Sequence, residues 1–265
     1  MCGNNALVNH YIGILVIITD EPLKIALISD IHGNNEALSA VLEAIAAEGC
    51  DHIVCLGDVA TLGPQPRQVL ENLRQVRADF IMGNHDAALL HPRMLAQYRI
   101  AAPLKPDIQW CLDQLDPQEI SFLEEFDDCR QLELAPSQKL LAYHGSPRSN
   151  IENVYPDAPV QSLREIFSSF SVQFMAGGHT HIQMLRNFDG RWLINPGSVG
   201  QPFHHTPEEG GVPRLLNHAE WAVLSIKKSS VAVELKRTYY DINRYCQIIE
   251  DSTLPVKDWL LRQYV

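Results

Sequence analysis

Five short apolar runs of this chain each lead into a glycine-containing segment that carries Asp, His or Asn. The runs are "LKIALIS", "HIVCLG", "ADFIMG", "KLLAYHG" and "VQFMAGG", and their length and apolar character predict buried β-strands. Open α/β sheets bind ligands at the carboxyl ends of their strands, so these ends are expected to form a site. The polar residues that follow the five runs are, in chain order, Asp30 and His32, Asp58, Asn84, His85 and Asp86, His144, and His179 and His181.

The first three runs alternate with two segments of helical character. Residues 34–49, "NNEALSAVLEAIAAEG", place apolar side chains at helical spacing and close on Gly49, and residues 66–76, "PRQVLENLRQV", form the second segment. This β-α-β-α-β order predicts parallel strands joined by right-handed crossovers. The first half of the chain is therefore expected to be α/β.

The rest of the chain is expected to extend the same domain. Residues 84 to about 130 look mostly helical, with breaks at prolines, and strand character dominates after them. Neither an internal repeat nor a low-complexity linker is evident. We expect residues 1–22 to be an N-terminal extension and residues 23–265 to be a single domain with a helical insert at about 87–130.

The segment "GGHTHIQ" at 177–183 holds two histidines one residue apart. If it continues the preceding strand, side chains at positions i and i+2 point the same way. His179 and His181 would then face one spot, or two spots close together. An isolated pair of this kind is equally compatible with two surface histidines at a strand end.

The residue types at the five strand ends are those of a metal site. Carboxylate, imidazole and amide oxygen suit Mn²⁺, Fe or Zn²⁺ and require no thiolate. Each residue alone has another explanation, since an Asp can cap a helix, an Asn can sit in a turn and a His can be buried in the core. Together they offer seven ligands, which is too many for one ion but suits two ions that share a carboxylate. The seven are Asp30, His32, Asp58, Asn84, His144, His179 and His181.

Composition restricts the partners. The formal net charge of −11 argues against broad nucleic-acid binding, which depends on clustered Lys and Arg. The apolar run "YIGILVII" at 11–18 is too short to span a bilayer, so no membrane partner is expected. The six cysteines contain no CxxC pair, which favours a reduced protein of the cytoplasm over a disulfide scaffold.

The combined motifs resemble those of the calcineurin-like metallophosphoesterase superfamily, whose pattern is DxH, GD, GNH(D/E), a later His, and GHxH. The resemblance extends from about Leu23 to about Gly200, and "LISDIHGNNEAL", "CLGDVATLGPQP", "HGSPR" and "NPGSVGQP" are similar to the small prokaryotic phosphodiesterase branch. Two features depart from it. Residues 1–22 have no counterpart, and after "NPGSVGQP" the branch commonly has Arg where this chain has Phe203, followed by His204 and His205, to which no role is assigned.

The resemblance implies a four-layer α/β/β/α sandwich of two mixed sheets that holds two divalent ions. Mn is the first expectation for both ions, with Fe, Zn or Ni as alternatives. Carried over residue by residue, the first ion would bind Asp30, His32 and His181, the second would bind Asn84, His144 and His179, and Asp58 would bridge them.

The resemblance also implies a mechanism. A hydroxide that bridges the two ions would attack phosphorus in line. His85, the non-ligand histidine of the motif, would contact the phosphoryl oxygen or protonate the leaving oxygen. Asn84 would also touch substrate, and Asp86 would orient His85 unless it is simply a carboxylate in the first turn of a helix. Arg148 is either a phosphate clamp or an exposed arginine, and the insert with Arg93, Arg99 and Lys105 could roof the site.

The leading hypothesis is a metal-dependent phosphodiesterase that acts on a small or nucleotide-like phosphodiester. The same core would serve a phosphomonoesterase, a protein phosphatase or a dinucleoside polyphosphate hydrolase, because specificity lies in loops. A hypothesis of another class is a non-catalytic interaction scaffold, which would need neither the ions nor His85. A homo-oligomer is compatible with the branch, although no sequence patch demands one.

Overall fold

The computed structural model describes residues 10–11, 21–207, 211–228 and 230–264. Within these residues the chain forms eleven strands and eight α-helices. The strands are β1 (His10–Tyr11), β2 (Leu23–Ile28), β3 (His52–Cys55), β4 (Ala78–Phe80), β5 (Cys129–Ala135), β6 (Gln138–Tyr143), β7 (Phe174–Ala176), β8 (Met184–Phe188), β9 (Arg191–Asn195), β10 (Ala219–Lys227) and β11 (Ser230–Thr238). The helices are α1 (Asn35–Glu48), α2 (Pro66–Leu73), α3 (Asn84–Leu90), α4 (Lys105–Gln114), α5 (Pro117–Glu124), α6 (Val160–Ile166), α7 (Ile242–Asp251) and α8 (Lys257–Leu261), and a 3₁₀ helix covers Ala102–Leu104.

The strands form two mixed sheets. One has the order β11-β10-β2-β3-β4, in which β2, β3 and β4 run parallel and β10 pairs antiparallel to β2. The other has the order β1-β5-β6-β7-β9-β8, in which β6, β7 and β9 run parallel. The five strands predicted to carry the site are therefore divided between the sheets, three in the first and two in the second.

Three apolar cores separate four layers. Alternate residues of β2, such as Ala26 and Ile28, face a core shared with α1 to α5, whereas Ile25 and Leu27 face the second sheet. Beyond that sheet, Leu141 and Met175 pack with side chains of α6. This period of two follows from strand geometry and produces the helix–sheet–sheet–helix order. The four-layer α/β/β/α sandwich expected from the sequence is confirmed.

Local signals in the sequence account for several boundaries. Asn34 caps α1 by accepting the Ala37 N–H at 3.0 Å, and Gly49 ends it in the left-handed region at φ 70°. Asp189 and Gly190, both at positive φ, form the tight turn between β8 and β9 that "DG" predicts. Strand β5 was not predicted, because at the start of the strand its side chains are only partly buried and its apolar pattern is weak.

The helical insert packs against the end of the chain. The C-terminal helices form a core of their own around Tyr245 and Leu260, and Leu104 and Trp110 of the insert contact that core. Trp110 donates its indole N–H to the Thr253 hydroxyl at 3.0 Å. The insert and the C-terminus thus form one continuous wall beside the sheets.

Little of the N-terminal extension lies within the described residues. His10–Tyr11 adds a short strand parallel to β5, and most of the "YIGILVII" run lies outside the described part. None of the helices in the described residues is long and apolar enough to cross a membrane. Cys50, Cys55, Cys111 and Cys246 are free thiols, whereas Cys129 is in a disulfide, which departs from the reduced set favoured by the sequence.

Candidate metal centre

One cluster of metal-competent side chains is formed by Asp30, His32 and His181, all buried. Nε2 of His181 lies 3.2 Å from Oδ1 of Asp30 and 3.1 Å from Nε2 of His32. Asp30 and His32 follow β2, whereas His181 follows β7 of the other sheet. The cluster therefore forms at the edge where the two sheets meet.

A second cluster contains Asp58, His144 and His179, with Asn84 beside them. Nε2 of His144 lies 3.3 Å from Oδ2 of Asp58 and 3.2 Å from Oδ1 of Asn84. The rings of His144 and His179 pack edge to face at 5.1 Å between centroids. These are the residues that the sequence assigns to the second ion.

Asp58 connects the two clusters. Its Oδ2 lies 3.3 Å from Nε2 of His144 in one cluster and 3.9 Å from Nε2 of His32 in the other. Its Oδ1 accepts the His85 N–H at 2.9 Å, which fixes the carboxylate in place. The structure thus brings all seven predicted ligands together, with Asp58 between the two groups.

Two of the imidazoles are oriented by backbone carbonyls. Nδ1 of His144 lies 2.6 Å from the Leu56 oxygen, and Nδ1 of His181 lies 2.7 Å from the Gln201 oxygen. Because a carbonyl oxygen can only accept, each Nδ1 carries the hydrogen. With an ion bound, each Nε2 would give up its proton and direct a lone pair at the cluster, an arrangement typical of metal-binding histidines.

The backbone of the site is strained. Non-glycine residues seldom adopt positive φ, and such residues concentrate at functional sites. Here five of the seven predicted ligands do so: Asp30 (53°), His32 (46°), Asp58 (57°), His179 (66°) and His181 (56°).

This geometry corrects the strand argument for the two histidines of "GGHTHIQ". Strand β7 ends at Ala176, and His179 and His181 lie in the loop after it, both left-handed. The i, i+2 rule for strands therefore does not apply to them. Instead the two side chains join different clusters, as the family resemblance implies.

Two glycines allow the loops to approach the carboxylates. A Cβ on Gly83 would lie 2.0 Å from Oδ1 of Asp58, and a Cβ on Gly178 would lie 1.9 Å from the Ser29 hydroxyl oxygen. No side chain is tolerated at such distances without movement of its neighbours. The close packing around Asp30 and Asp58 depends on both glycines.

The electrostatics of the clusters suit cations. Burial alone would raise the pKa of Asp30, but the neighbouring His181 and His144 outweigh it and lower that pKa to about 2. Burial lowers the pKa of His32 and of His179 to about 3, so both imidazoles are neutral at pH 7. Although burial opposes the change, Asp58 raises the pKa of His144 to about 10, and Asp30 raises the pKa of His181. These two imidazoles therefore supply positive charge to the buried carboxylates, a role that divalent cations would take over.

An unsatisfied polar atom supports the same conclusion. Oδ1 of Asp30, which faces the cluster, is buried without a hydrogen bond of good geometry. Buried polar atoms without partners are uncommon and call for an explanation such as an ion. The residues present therefore fit two divalent cations, as their hard-to-borderline donor set also indicates.

His85 lies beside the clusters without joining either of them. Its Nδ1 lies 3.0 Å from the Thr61 hydroxyl, and its ring packs edge to face on that of His32 at 5.3 Å. Burial lowers the pKa of His85. Thr61 was not predicted from the sequence, because a threonine three residues after Asp58 carries no signal of its own.

Asp86 holds the backbone of the site. Its carboxylate accepts the N–H groups of Asp58, Val59 and Gly83 at 2.7, 2.9 and 3.0 Å, and its burial raises its pKa to about 7. The side chain that contacts the His85 ring is Thr61, so no direct contact supports the predicted orientation of His85 by Asp86. The reading of Asp86 as a first-turn carboxylate of a helix agrees with its place in α3.

Asn84 is positioned by the insert. Its Nδ2 donates to the Tyr98 carbonyl at 3.1 Å, and this orientation turns Oδ1 towards His144. This contact could not be inferred from the sequence, because a backbone carbonyl can come from any residue.

Arg148 lies elsewhere. It forms an ion pair with Glu152, with Nε 3.1 Å from Oε2, and it lines a neighbouring cavity of about 350 Å³. A role for Arg148 in substrate binding stays a prediction. The cavity over the clusters, of about 430 Å³, includes the His85 side chain, and Arg93, Arg99 and Lys105 are not among its described lining residues.

Comparison with known proteins gives a consistent picture. The sequence model of the calcineurin-like phosphoesterase superfamily domain matches residues 23–215. This span covers most of the strand ends described above and all seven clustered residues.

Individual relatives are more distant. The chain is 29% identical over 253 residues to the uncharacterized protein MJ0912 of Methanocaldococcus jannaschii, covering 89% of this chain and 95% of that protein. It is 26% identical over 223 residues to the phosphodiesterase YfcE of Escherichia coli, covering 80% of this chain and 97% of that protein. Among solved structures, a metallophosphoesterase from Sphaerobacter thermophilus superposes with a TM-score of 0.66 at 25% identity, over 91% of this chain and 98% of that one.

Proposed function

The chain belongs to the calcineurin-like phosphoesterase superfamily, and from this premise we propose that it is a phosphodiesterase that hydrolyses a small or nucleotide-like phosphodiester with the help of two divalent ions. The observation that carries the proposal is the position of Asp58 between two clusters of metal-competent side chains. The relative whose name states an activity is a phosphodiesterase, which supports the diester as substrate.

The proposal assigns the ions to the chain's own residues. Asp30, His32 and His181 would hold one ion, and Asn84, His144 and His179 would hold the other, with Asp58 shared between them. When bound, two such ions lower the pKa of water and stabilise the charge on the phosphoryl oxygens. Mn as the native metal and the cytoplasm as the location stay predictions from the sequence.

The histidine beside the clusters supplies the proton in this proposal. With its Nδ1 beside the Thr61 hydroxyl, His85 has Nε2 available for the substrate. As the oxygen of hydroxide bonds to phosphorus and the ester P–O bond breaks, the leaving oxygen would take a proton from Nε2 of protonated His85, which then regains a proton from solvent. Asp86 holds the loop that carries Asp58, which makes it a positioning residue.

Asn84 and the domain boundaries belong to the same proposal. The amide of Asn84 is held by the insert through Tyr98 and lines the cavity, and in this proposal it contacts a phosphoryl oxygen. The proposed domain is 23–265, with the insert at about 87–130 completing one wall of the site. The scaffold hypothesis is disfavoured because a scaffold would need neither the seven clustered residues nor His85.

The proposal is tested by hydrolysis. Metal-stripped protein is assayed with Mn²⁺ on bis(p-nitrophenyl) phosphate and on p-nitrophenyl phosphate. Asn84→Ala is the inactive control, and Tyr239→Ala, at an exposed residue that does not line the cavity, is the surface control. The expected result is metal-dependent cleavage that prefers the diester and is lost in Asn84→Ala. A preference for the monoester would favour the phosphomonoesterase alternative, and the absence of any hydrolysis with metal bound would favour the scaffold.

A further inference from the structure

The cavity over the two clusters has a polar floor and apolar walls. The floor is formed by the clustered residues and His85, whereas the walls carry Leu104, Phe203, Val212, Pro213 and Trp259. Among the lining residues that the structure describes, none is Lys or Arg, and Asp58 is the only carboxylate. Among the described residues, the walls of the cavity are therefore apolar.

Three separate parts of the chain build these walls. Leu104 closes the 3₁₀ helix of the insert, Phe203 follows the "NPGSVGQP" segment, and Trp259 comes from α8. All three side chains pack on the core around Leu260 and Tyr245. Because all three side chains pack on that core, the walls are held in place by the fold and do not depend on the conformation of a single loop.

Phe203 contacts one of the clustered histidines. Its ring lies 4.3 Å from that of His181 between centroids, and its N–H donates to the His181 carbonyl at 3.1 Å. The chain thus has an aromatic face where the branch that it resembles commonly has an arginine. Val212, at the rim, exposes 60% of its surface, which leaves apolar area available for a ligand.

Resting on the proposed function, we propose that these walls bind an uncharged, ring-bearing ester group of the phosphodiester and select against substrates that carry a second anionic group there. Aromatic rings bury large apolar areas and stack on Phe and Trp. A second phosphate or a carboxylate would lose its hydration without gaining a cation, which is unfavourable. The dinucleoside polyphosphate alternative is disfavoured for the same reason.

Cations near the insert and after β6 do not change this conclusion. Arg148 lines the neighbouring cavity and is paired with Glu152. Arg93, Arg99 and Lys105 are not among the described lining residues of the cavity over the clusters. A polyphosphate chain that extended from the metal clusters would therefore meet apolar side chains.

The test measures binding without turnover. Calorimetry of the Mn²⁺-loaded protein gives dissociation constants for phenylphosphonate, methylphosphonate and 4-carboxyphenylphosphonate, whose P–C bond is not hydrolysed. We expect phenylphosphonate to bind about tenfold more tightly than methylphosphonate, and the carboxylated ring to lose most of that gain. Trp259→Ala should reduce the phenyl-to-methyl ratio towards one, whereas Tyr239→Ala should retain it.

A charge placed in the wall provides a second variant. Phe203→Arg should reverse the order, so that the carboxylated ring binds more tightly than the unsubstituted one. Equal binding of the phenyl and methyl compounds to the wild-type protein, or an unchanged ratio in Trp259→Ala, would overturn the inference while diester hydrolysis continued. Loss of both phosphonate binding and hydrolysis would instead contradict the proposed function, and the inference with it.

Discussion

The Thr61 hydroxyl oxygen lies 3.0 Å from Nδ1 of His85, on the side of the ring opposite to Nε2. This contact orients the His85 ring. The ring nitrogens of His85 form no hydrogen bond with any of the clustered residues. The contact with Thr61 also distinguishes His85 from the four clustered histidines, two of which are oriented by backbone carbonyls. In the proposed mechanism this leaves Nε2 of His85 for the substrate.

Replacing the His85 ring should reduce turnover without removing metal. In His85→Ala we expect kcat on bis(p-nitrophenyl) phosphate to fall about 10²- to 10⁴-fold, the usual contribution of a positioned proton donor. Metal content, measured by atomic emission on dialysed protein, should match the wild type. Equal turnover in the variant would remove His85 from the mechanism.

Removing the hydroxyl beside His85 should have a smaller effect of the same kind. Thr61→Val keeps the shape of the side chain and removes one hydrogen bond, which corresponds to a decrease in kcat of about 3- to 10-fold. Combined with His85→Ala it should cause no further loss, because the partner is already absent. Additive losses in the double variant would show that Thr61 acts through something other than His85.

A methyl group at Gly178 should disturb the first cluster. Its Cβ would lie 1.9 Å from the Ser29 hydroxyl oxygen and 2.7 Å from Oδ2 of Asp30. We expect Gly178→Ala to weaken Mn²⁺ binding, measured by calorimetry, about tenfold or more.

Gly49→Ala is the matched control, since a Cβ there meets nothing within 4 Å. It should lose about 1 kcal/mol of stability from its left-handed φ but bind Mn²⁺ as the wild type does. Equal affinity in the two variants would contradict the packing argument.

The pH dependence of stability should reveal the buried Asp107 of the insert. Oδ2 of Asp107 accepts the Leu62 N–H at 2.8 Å, Oδ1 is buried without a partner, and burial raises the pKa to about 6 from 3.8. Because the folded protein holds this proton more tightly than the unfolded chain, the contribution of Asp107 to stability decreases as the pH rises from about 4 to about 6. The change is about 3 kcal/mol in all.

The neutral variant Asp107→Asn isolates this effect. The free energy of unfolding of both proteins is measured in urea with EDTA at pH 4.5 and at pH 7.5. Between these pH values, the free energy of unfolding of the variant should rise by about 2 kcal/mol relative to that of the wild type. Because both proteins share the other titrating groups, the contributions of those groups cancel in the difference between the two free energies of unfolding. If that difference is the same at both pH values, Asp107 has an ordinary pKa and the argument is wrong.

Much of the site was predictable because it depends on the order of strands along the chain. Parallel strands bring their carboxyl ends to one edge, so Asp30, Asp58 and Asn84 could be grouped from sequence position alone. His144 and His181 come from the second sheet, and only the family resemblance indicated how the two sheets face each other. The four-layer sandwich was expected on the same basis.

The rest depends on backbone geometry and on long-range contacts. The left-handed conformations of His179 and His181 could not be derived from residue types that seldom adopt them. The roles of Thr61 and of the Tyr98 carbonyl arise from residues distant in sequence from the histidine or asparagine that they hold. The apolar walls could not be predicted for the same reason, since Leu104, Phe203 and Trp259 come together only in the folded chain.

The central claim is that two ions sharing Asp58 are needed for diester hydrolysis. The most direct measurement is the rate of bis(p-nitrophenyl) phosphate hydrolysis by metal-free protein as Mn²⁺ is added in measured equivalents, with Asp58→Asn in parallel. The account predicts a rate that rises to a plateau near two equivalents per chain and no comparable activity in Asp58→Asn, the substitution that removes the shared charge. A rate that is independent of Mn²⁺, or a plateau at one equivalent that Asp58→Asn reproduces, would contradict it.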